Sequence, residues 1–202
     1  MCVIIGIVSI FGEAGREVLV MEEEIVFDRS RTCCFTGHRT KDLPFGGDRH
    51  YTGMRNLIST LYLAVSDAVK EGYDTFISGM ADGIDIICAD IVGQLVSKGE
   101  KIRLVCAVPY AGQIKEHHTP RGAYLYKTLT ERFPTVVLAR RYHQDCYRER
   151  NAFMVAHSSK LIGVYKHKTR GSGTLQTIRL AERAGLECRI IRLDDQNVFY
   201  MK

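Results

Sequence analysis

Tryptophan is absent from this sequence of 202 residues, and proline is scarce, with four in all. No proline-rich linker, internal repeat or low-complexity segment divides the chain. Most of it is therefore expected to fold around one core, which a chain of this length buries without staples. There is no Cys-x-x-Cys pair, and the seven cysteines are an odd number. Cys33, Cys34, Cys88, Cys106 and Cys188 fall in apolar runs, where a free thiol behaves as a small hydrophobe. That usage excludes a disulfide scaffold and suits a reducing, cytoplasmic setting. His117, His118, His143 and Cys146 come nearest to a metal-binding set, but their spacing fits no standard zinc pattern. No metal and no cofactor is expected. The excess of basic charge is slight, 28 Lys and Arg against 23 Asp and Glu, or +5. It is compatible with a phosphate-bearing partner and does not by itself indicate nucleic acid.

Long hydrophobic runs are lacking too. Residues 1–12 are apolar, but no Lys or Arg precedes the run and it is too short to span a bilayer, so neither a secretory signal nor a membrane anchor is expected. Met21 opens a second plausible start, followed by Glu22-Glu23-Glu24. Residues 1–30 read as an N-terminal extension, of which 1–20 stand outside the core, and residues 31–202 read as a single domain.

What the chain does contain is an alternation of short apolar runs and amphipathic stretches. Cys33-Cys34-Phe35-Thr36 reads as a buried strand ending in Gly37-His38-Arg39. Met54, Leu57, Ile58, Leu61, Val65 and Ala68 then share one face of a helix over about 51–71. A second strand at 75–78 runs into Ser78-Gly79-Met80-Ala81-Asp82-Gly83-Ile84-Asp85 and a helix over 82–98. Further strands are predicted at 102–108, 135–139, 161–165 and 188–193, with helices over 122–132, 147–158 and 174–184. Arg189 and Arg192 place the last strand at a sheet edge. Residues 109–121 lack periodicity, and read either as an ordinary connection or as a flap over a site. Strands and helices in this order imply an α/β fold with a mainly parallel sheet, whose ligands bind beyond the carboxyl ends of the strands.

Three glycine-bearing turns fall on that edge, each leading into a helix whose first N–H groups suit an anion, usually a phosphate. At the first, Arg39 is placed to grip a phosphate or, more simply, to cap a carbonyl, and His38 to donate a hydrogen bond or a proton. At the second, Asp82 and Asp85 have the spacing of a capping box. Asp85 has the alternative roles of binding ribose hydroxyls or assisting a hydrolysis. The third, Gly171-Ser172-Gly173-Thr174, offers N–H groups and two hydroxyls but no P-loop lysine, so triphosphate hydrolysis is not indicated. Asn151, just after Arg150, has an amide able to tie a helix to a strand end.

The order Thr36-Gly37-His38-Arg39, then Ser78 to Asp85, then Arg150-Asn151 with Ser158, then Ser172-Gly173-Thr174-Leu175-Gln176-Thr177-Ile178 resembles the SLOG superfamily. This Rossmann-like fold is shared by the DNA-processing protein DprA and the Lonely Guy phosphoribohydrolases, and the small size with the Thr36-Gly37-His38-Arg39 start resembles the stand-alone YpsA-like branch. The resemblance implies a three-layer fold and a nucleotide or nucleotide-derived sugar-phosphate ligand, bound as a sensor or regulator would bind it. Thr36, Gly37 and Arg39, then Ser78, Gly79, Gly83 and Asp85, then Gly171, Ser172, Gly173 and Thr174, with Asn151, are the expected ligand-binding residues. An alternative is a hydrolase of an N-glycosidic or phosphoribosyl bond, with Asp85 and His38 as acid/base groups. However, the Lonely Guy motif ends in a catalytic glutamate, and here Leu175-Gln176-Thr177 follows Thr174. A further alternative is single-stranded DNA binding of the DprA kind through Arg140, Arg141, Arg148 and Arg150. Self-association is expected on the same resemblance.

Overall fold

Six strands form one fully parallel sheet in a computed structural model that describes residues 2–5, 9–11, 17–19, 24–116, 119–167, 172–194 and 197–201. Two short antiparallel ribbons precede it: β1 (Cys2–Ile5) pairs with β4 (Glu24–Phe27), and β2 (Ser9–Phe11) with β3 (Glu17–Leu19). The main sheet comprises β5 (Thr32–Thr36), β6 (Thr75–Ser78), β7 (Arg103–Val108), β8 (Thr135–Val137), β9 (Lys160–Tyr165) and β10 (Glu187–Arg192). Its order is β10-β9-β5-β6-β7-β8. The helices are α1 (Thr52–Lys70), α2 (Ile84–Ser97), α3 (Pro120–Arg132), α4 (Cys146–Ala156) and α5 (Gly173–Arg183).

The order explains the layers. From β5 the chain steps one way through β6 and β7 to β8, so right-handed crossovers set α1, α2 and α3 on one face. It then returns to β9 on the far side of β5 and steps outward to β10, which sets α4 and α5 on the other face. Two core clusters correspond: one gathers Met54, Leu57, Ile84, Ile91 and Leu129, the other Met154, Val155, Ile178 and Ala181. The inner strands β5, β6 and β9 are buried at every residue, as a sheet covered on both sides requires. The direction of winding reverses between β5 and β9, and the crevice of such a sheet opens at the carboxyl ends of those two strands.

Three departures from the periodicity matter. The strand expected at 135–139 ends at Val137. Leu138 N–H still donates to Val108 O at 2.9 Å, but Ala139 O accepts from Ala111 N–H at 3.2 Å, so the chain turns to hold the segment that follows β7. Ile25 and Phe27, within the stretch expected as an extension, are buried in the second core cluster. Phe27 packs its ring 5.9 Å from that of Phe153 and 4.9 Å from that of His157, and the Arg103 guanidinium donates to Val26 O. Lys160 is also unexpected: its buried ammonium donates to Glu71 and Glu187 at 2.5 Å each, below the sheet. β10 is an edge strand, as its two arginines imply. No helix among the described residues is long and apolar enough to cross a membrane.

If Phe27 is a core residue, Phe27→Ala should lower stability by about 3 kcal/mol in urea unfolding. A change within experimental error would mean that residues 24–27 lie on the domain without supporting it.

Candidate functional site

The first two glycine turns are built into each other at the carboxyl edge. Ile84 N–H, the first of α2, donates to His38 O at 3.2 Å. Gly83 has φ +107°, and a Cβ there would stand 2.3 Å from His38 O. On the opposite strand of this contact, a Cβ on Gly37 would stand 2.4 Å from Ile84 Cβ. Neither position has room for a side chain, which is the physical reason for glycine at both.

Inside the second turn Ser78 and the Gly79 carbonyl are satisfied within the fold. Ser78 Oγ donates to Asp85 O at 2.8 Å and accepts from Met80 N–H at 3.1 Å, and Met80 has the left-handed φ of +53°. Residues 78–89 are buried throughout. Gly79 O accepts from Gln113 Nε2 at 3.1 Å and from Arg150 Nη1, which also lies 3.3 Å from Asp85 Oδ2. Burial pushes the Asp85 carboxyl up, while Arg150, Arg39 and the Ala81 N–H pull it back. The anion held at this turn is thus the protein's own carboxylate, matched by a buried guanidinium from α4. Arg150 Nε and Gln113 Oε1, both buried, have no hydrogen-bond partner among the described residues.

An outer layer covers this pair. Glu116, in the 3-10 turn Gln113–Glu116 after β7, takes hydrogen bonds at Oε1 from Tyr110 Oη at 2.5 Å and from Tyr147 Oη. Its Oε2 lies 3.6 Å from Arg39 Nη2. The Arg39 guanidinium sits 5.7 Å from the ring centre of Tyr147, and that of Arg150 6.0 Å from it. Burial, then the bond to Glu116, raises the Tyr147 hydroxyl well above its usual value, so it stays a donor. Tyr142, 62% exposed, meets the Tyr110 ring edge-on at 5.6 Å. A separate cleft of about 450 Å³ reaches Asp82 and Gly83 from the α2–α3 side, with Arg49 and Arg121 in its wall. Asp90 faces both arginines, at 3.9 and 3.4 Å.

The expected residues fall into two groups. Ser78, Gly79, Gly83 and Asp85 form the buried turn, with Gly37 packed against it and Arg39 above. His38 is buried, and its Nε2 accepts from Lys166 N–H at 2.8 Å, fastening the end of β5 to the end of β9. Thr36 is buried beside Gly163, where a Cβ would come 3.3 Å from its Cγ2. The second group surrounds α5. Ser172 Oγ caps it by accepting from Leu175 N–H at 3.3 Å, Thr174 is buried, and Gly173 is exposed. Asn151 Nδ2 donates to Thr177 Oγ1 at 2.8 Å, tying α4 to α5. Gly171, His117 and His118 lie outside the described residues. Sequence reasoning did not single out Glu116 and Tyr147, 31 positions apart, because no local spacing links them.

The inner pair depends on Gly79, since a Cβ there would stand 1.6 Å from Arg150 Nη1 and 2.7 Å from Asp85 Oδ2. Gly79→Ala should cost about 3 kcal/mol of stability by forcing buried charges apart. Gly173→Ala, with nothing within 4 Å, should change it by less than about 0.5 kcal/mol. Equal effects in urea unfolding would contradict this account of the turn.

Comparison with known proteins agrees with the geometry. The YpsA family model, described as the YspA SLOG family, matches residues 33–196. Among solved structures, DNA processing protein A from Helicobacter pylori, described for its single-stranded DNA binding mode, superposes with a TM-score of 0.52. Identity is 14%, over 80% of this chain and 67% of that one, so the likeness is one of fold. No curated protein matches the chain. With most of its length matched by the family model and its parallel sheet and first two glycine turns in place, the chain belongs to the YspA SLOG family.

Proposed function

We propose that the chain binds a nucleotide or nucleotide-derived sugar phosphate at the carboxyl edge of its sheet, as a sensor or regulator. One observation carries this reading: Arg39, its side chain 36% exposed, stands at the mouth of the edge against Tyr147, with Tyr142 exposed nearby. A guanidinium suits a phosphate, and an exposed aromatic face suits a base. Family membership supports the same ligand class. The free thiols of Cys33, Cys34, Cys88, Cys106, Cys146 and Cys188 support a cytoplasmic setting.

Binding is favoured over hydrolysis by what the acid/base candidates already do. Asp85 is buried against Arg150, and His38 Nε2 is occupied by a backbone N–H. Each is thus already engaged by a partner within the fold. AMP serves as the probe: titrated by calorimetry, it should be recovered intact, and Arg39→Ala should weaken it by about 1.5–3 kcal/mol. Adenine released over time, and lost in Asp85→Asn, would replace this reading with the hydrolase one.

Single-stranded DNA is the second reading. It is supported by the fold shared with DNA processing protein A and by exposed Arg140, Arg141 and Arg148, whereas Arg150, expected with them, is buried against Asp85. Oligonucleotide affinity should then fall steeply with salt and weaken in Arg140→Ala/Arg141→Ala, because each lost phosphate contact shallows the slope by about one. Affinity that ignores both would remove it.

A further inference from the structure

Arg39 already has an anion. Glu116 reaches it from the segment after β7, and the same carboxylate takes hydrogen bonds from Tyr110 and Tyr147. One guanidinium and two phenolic donors converging on one carboxylate make a donor set with the valence and charge of a phosphate site. Tyr110 lies two residues after β7, Tyr147 stands in the first turn of α4, and Arg39 follows β5, so three separate elements supply the donors. Glu116 itself sits in a 3-10 turn of four residues, its side chain 27% exposed. The seat is therefore built by the fold, and its occupant comes from a short turn.

We propose that Glu116 is an internal stand-in for the phosphate monoester end of the ligand, and that the ligand binds by taking its place on Arg39, Tyr110 and Tyr147. This rests on the reading of Arg39 as the phosphate-facing residue. A phosphate monoester carries about −1.5 to −2 charges and three acceptor oxygens. It answers the guanidinium and both phenols more fully than one carboxylate does. The Arg39–Glu116 contact is partly solvated, so releasing it is not prohibitive. Gln113 Oε1 and Arg150 Nε are buried without hydrogen-bond partners among the described residues, on the residue pair that holds Gly79 O. When Glu116 leaves, the turn carrying Gln113 loses its contacts to Arg39 and the two tyrosines, and the unmet acceptor and donor are open to a new partner. A ribose hydroxyl, which both donates and accepts, fits that pair. The exchange turns ligand binding into movement of the Glu116 end of the 3-10 turn, while Tyr110 stays in the seat, and this gives a sensor its moving part.

The test compares wild type with Glu116→Gln, using inorganic phosphate and AMP as probes in calorimetry. Removing the stand-in should tighten inorganic phosphate at least about tenfold, since an occupied seat lowers apparent affinity by the fraction left open. Adding Arg39→Ala should abolish the gain. Phosphate affinity unchanged or weakened in Glu116→Gln overturns the proposal. The AMP arm separates the two readings. AMP that binds wild type and Glu116→Gln equally leaves the nucleotide reading standing and removes the stand-in. A phosphate gain with no AMP binding to either protein keeps the phosphate seat and removes the nucleotide. If Glu116→Gln does not fold, tryptic cleavage after Lys115 in wild type decides: saturating phosphate should accelerate it, and protection or no change overturns the proposal.

Discussion

A guanidinium and a carboxylate, both buried, meet across the carbonyl of a glycine, and the carboxyl edge of the sheet is arranged around that contact. Arg150 comes from α4, on one face of the sheet, and Asp85 from the first turn of α2, on the other. Their meeting therefore clamps the two helical layers together at the strand ends. Charges this deep are strongly destabilising when one partner is lost, because the other is left uncompensated. Gly79 must then stay bare, and Ser78 must satisfy the backbone of the turn. Gly83 and Gly37 must let the neighbouring loop close on α2.

That clamp divides the edge into two layers with different duties. In the inner layer Arg150 Nε and Gln113 Oε1 are the buried side-chain atoms left without hydrogen-bond partners among the described residues. The outer layer of Arg39, Glu116 and the tyrosines is partly exposed and held by contacts that exchange with solvent more cheaply. The nucleotide-derived ligand proposed above would find its phosphate contact in the outer layer. The second glycine turn acts at one remove, by fixing where Arg39 and α4 stand.

Much of the fold was legible in the sequence because its causes are local. Apolar runs at 33–36, 75–78 and 102–108 and the helical spacing of Met54, Leu57, Leu61 and Val65 are short-range patterns that side-chain burial imposes directly. Arg189 and Arg192 marked the edge strand for the same reason. The turns, too, were legible as glycines at strand ends. What those turns hold was not. The arginine that fills the space left by Gly79 lies 71 positions away, and the donors of Tyr147 and Arg39 reach Glu116 from different helices and loops. Such pairs leave no period. Asp85 had the spacing of a cap, but only its burial beside Arg150 shows that its charge is already matched. Lys160 and Phe27 are hidden similarly: one is a cation inside a strand that reads as apolar, the other a core ring in a stretch rich in glutamate.

A crystal structure grown with AMP tests the central claim most directly, that the edge receives a phosphate at Arg39 while Asp85 keeps the anion position of the second turn. The account predicts phosphate oxygens within hydrogen-bonding distance of Arg39, with Arg150 still on Asp85. A phosphate lodged in the Ser78–Asp85 turn, with Arg150 drawn away from Asp85 to meet it, would contradict it.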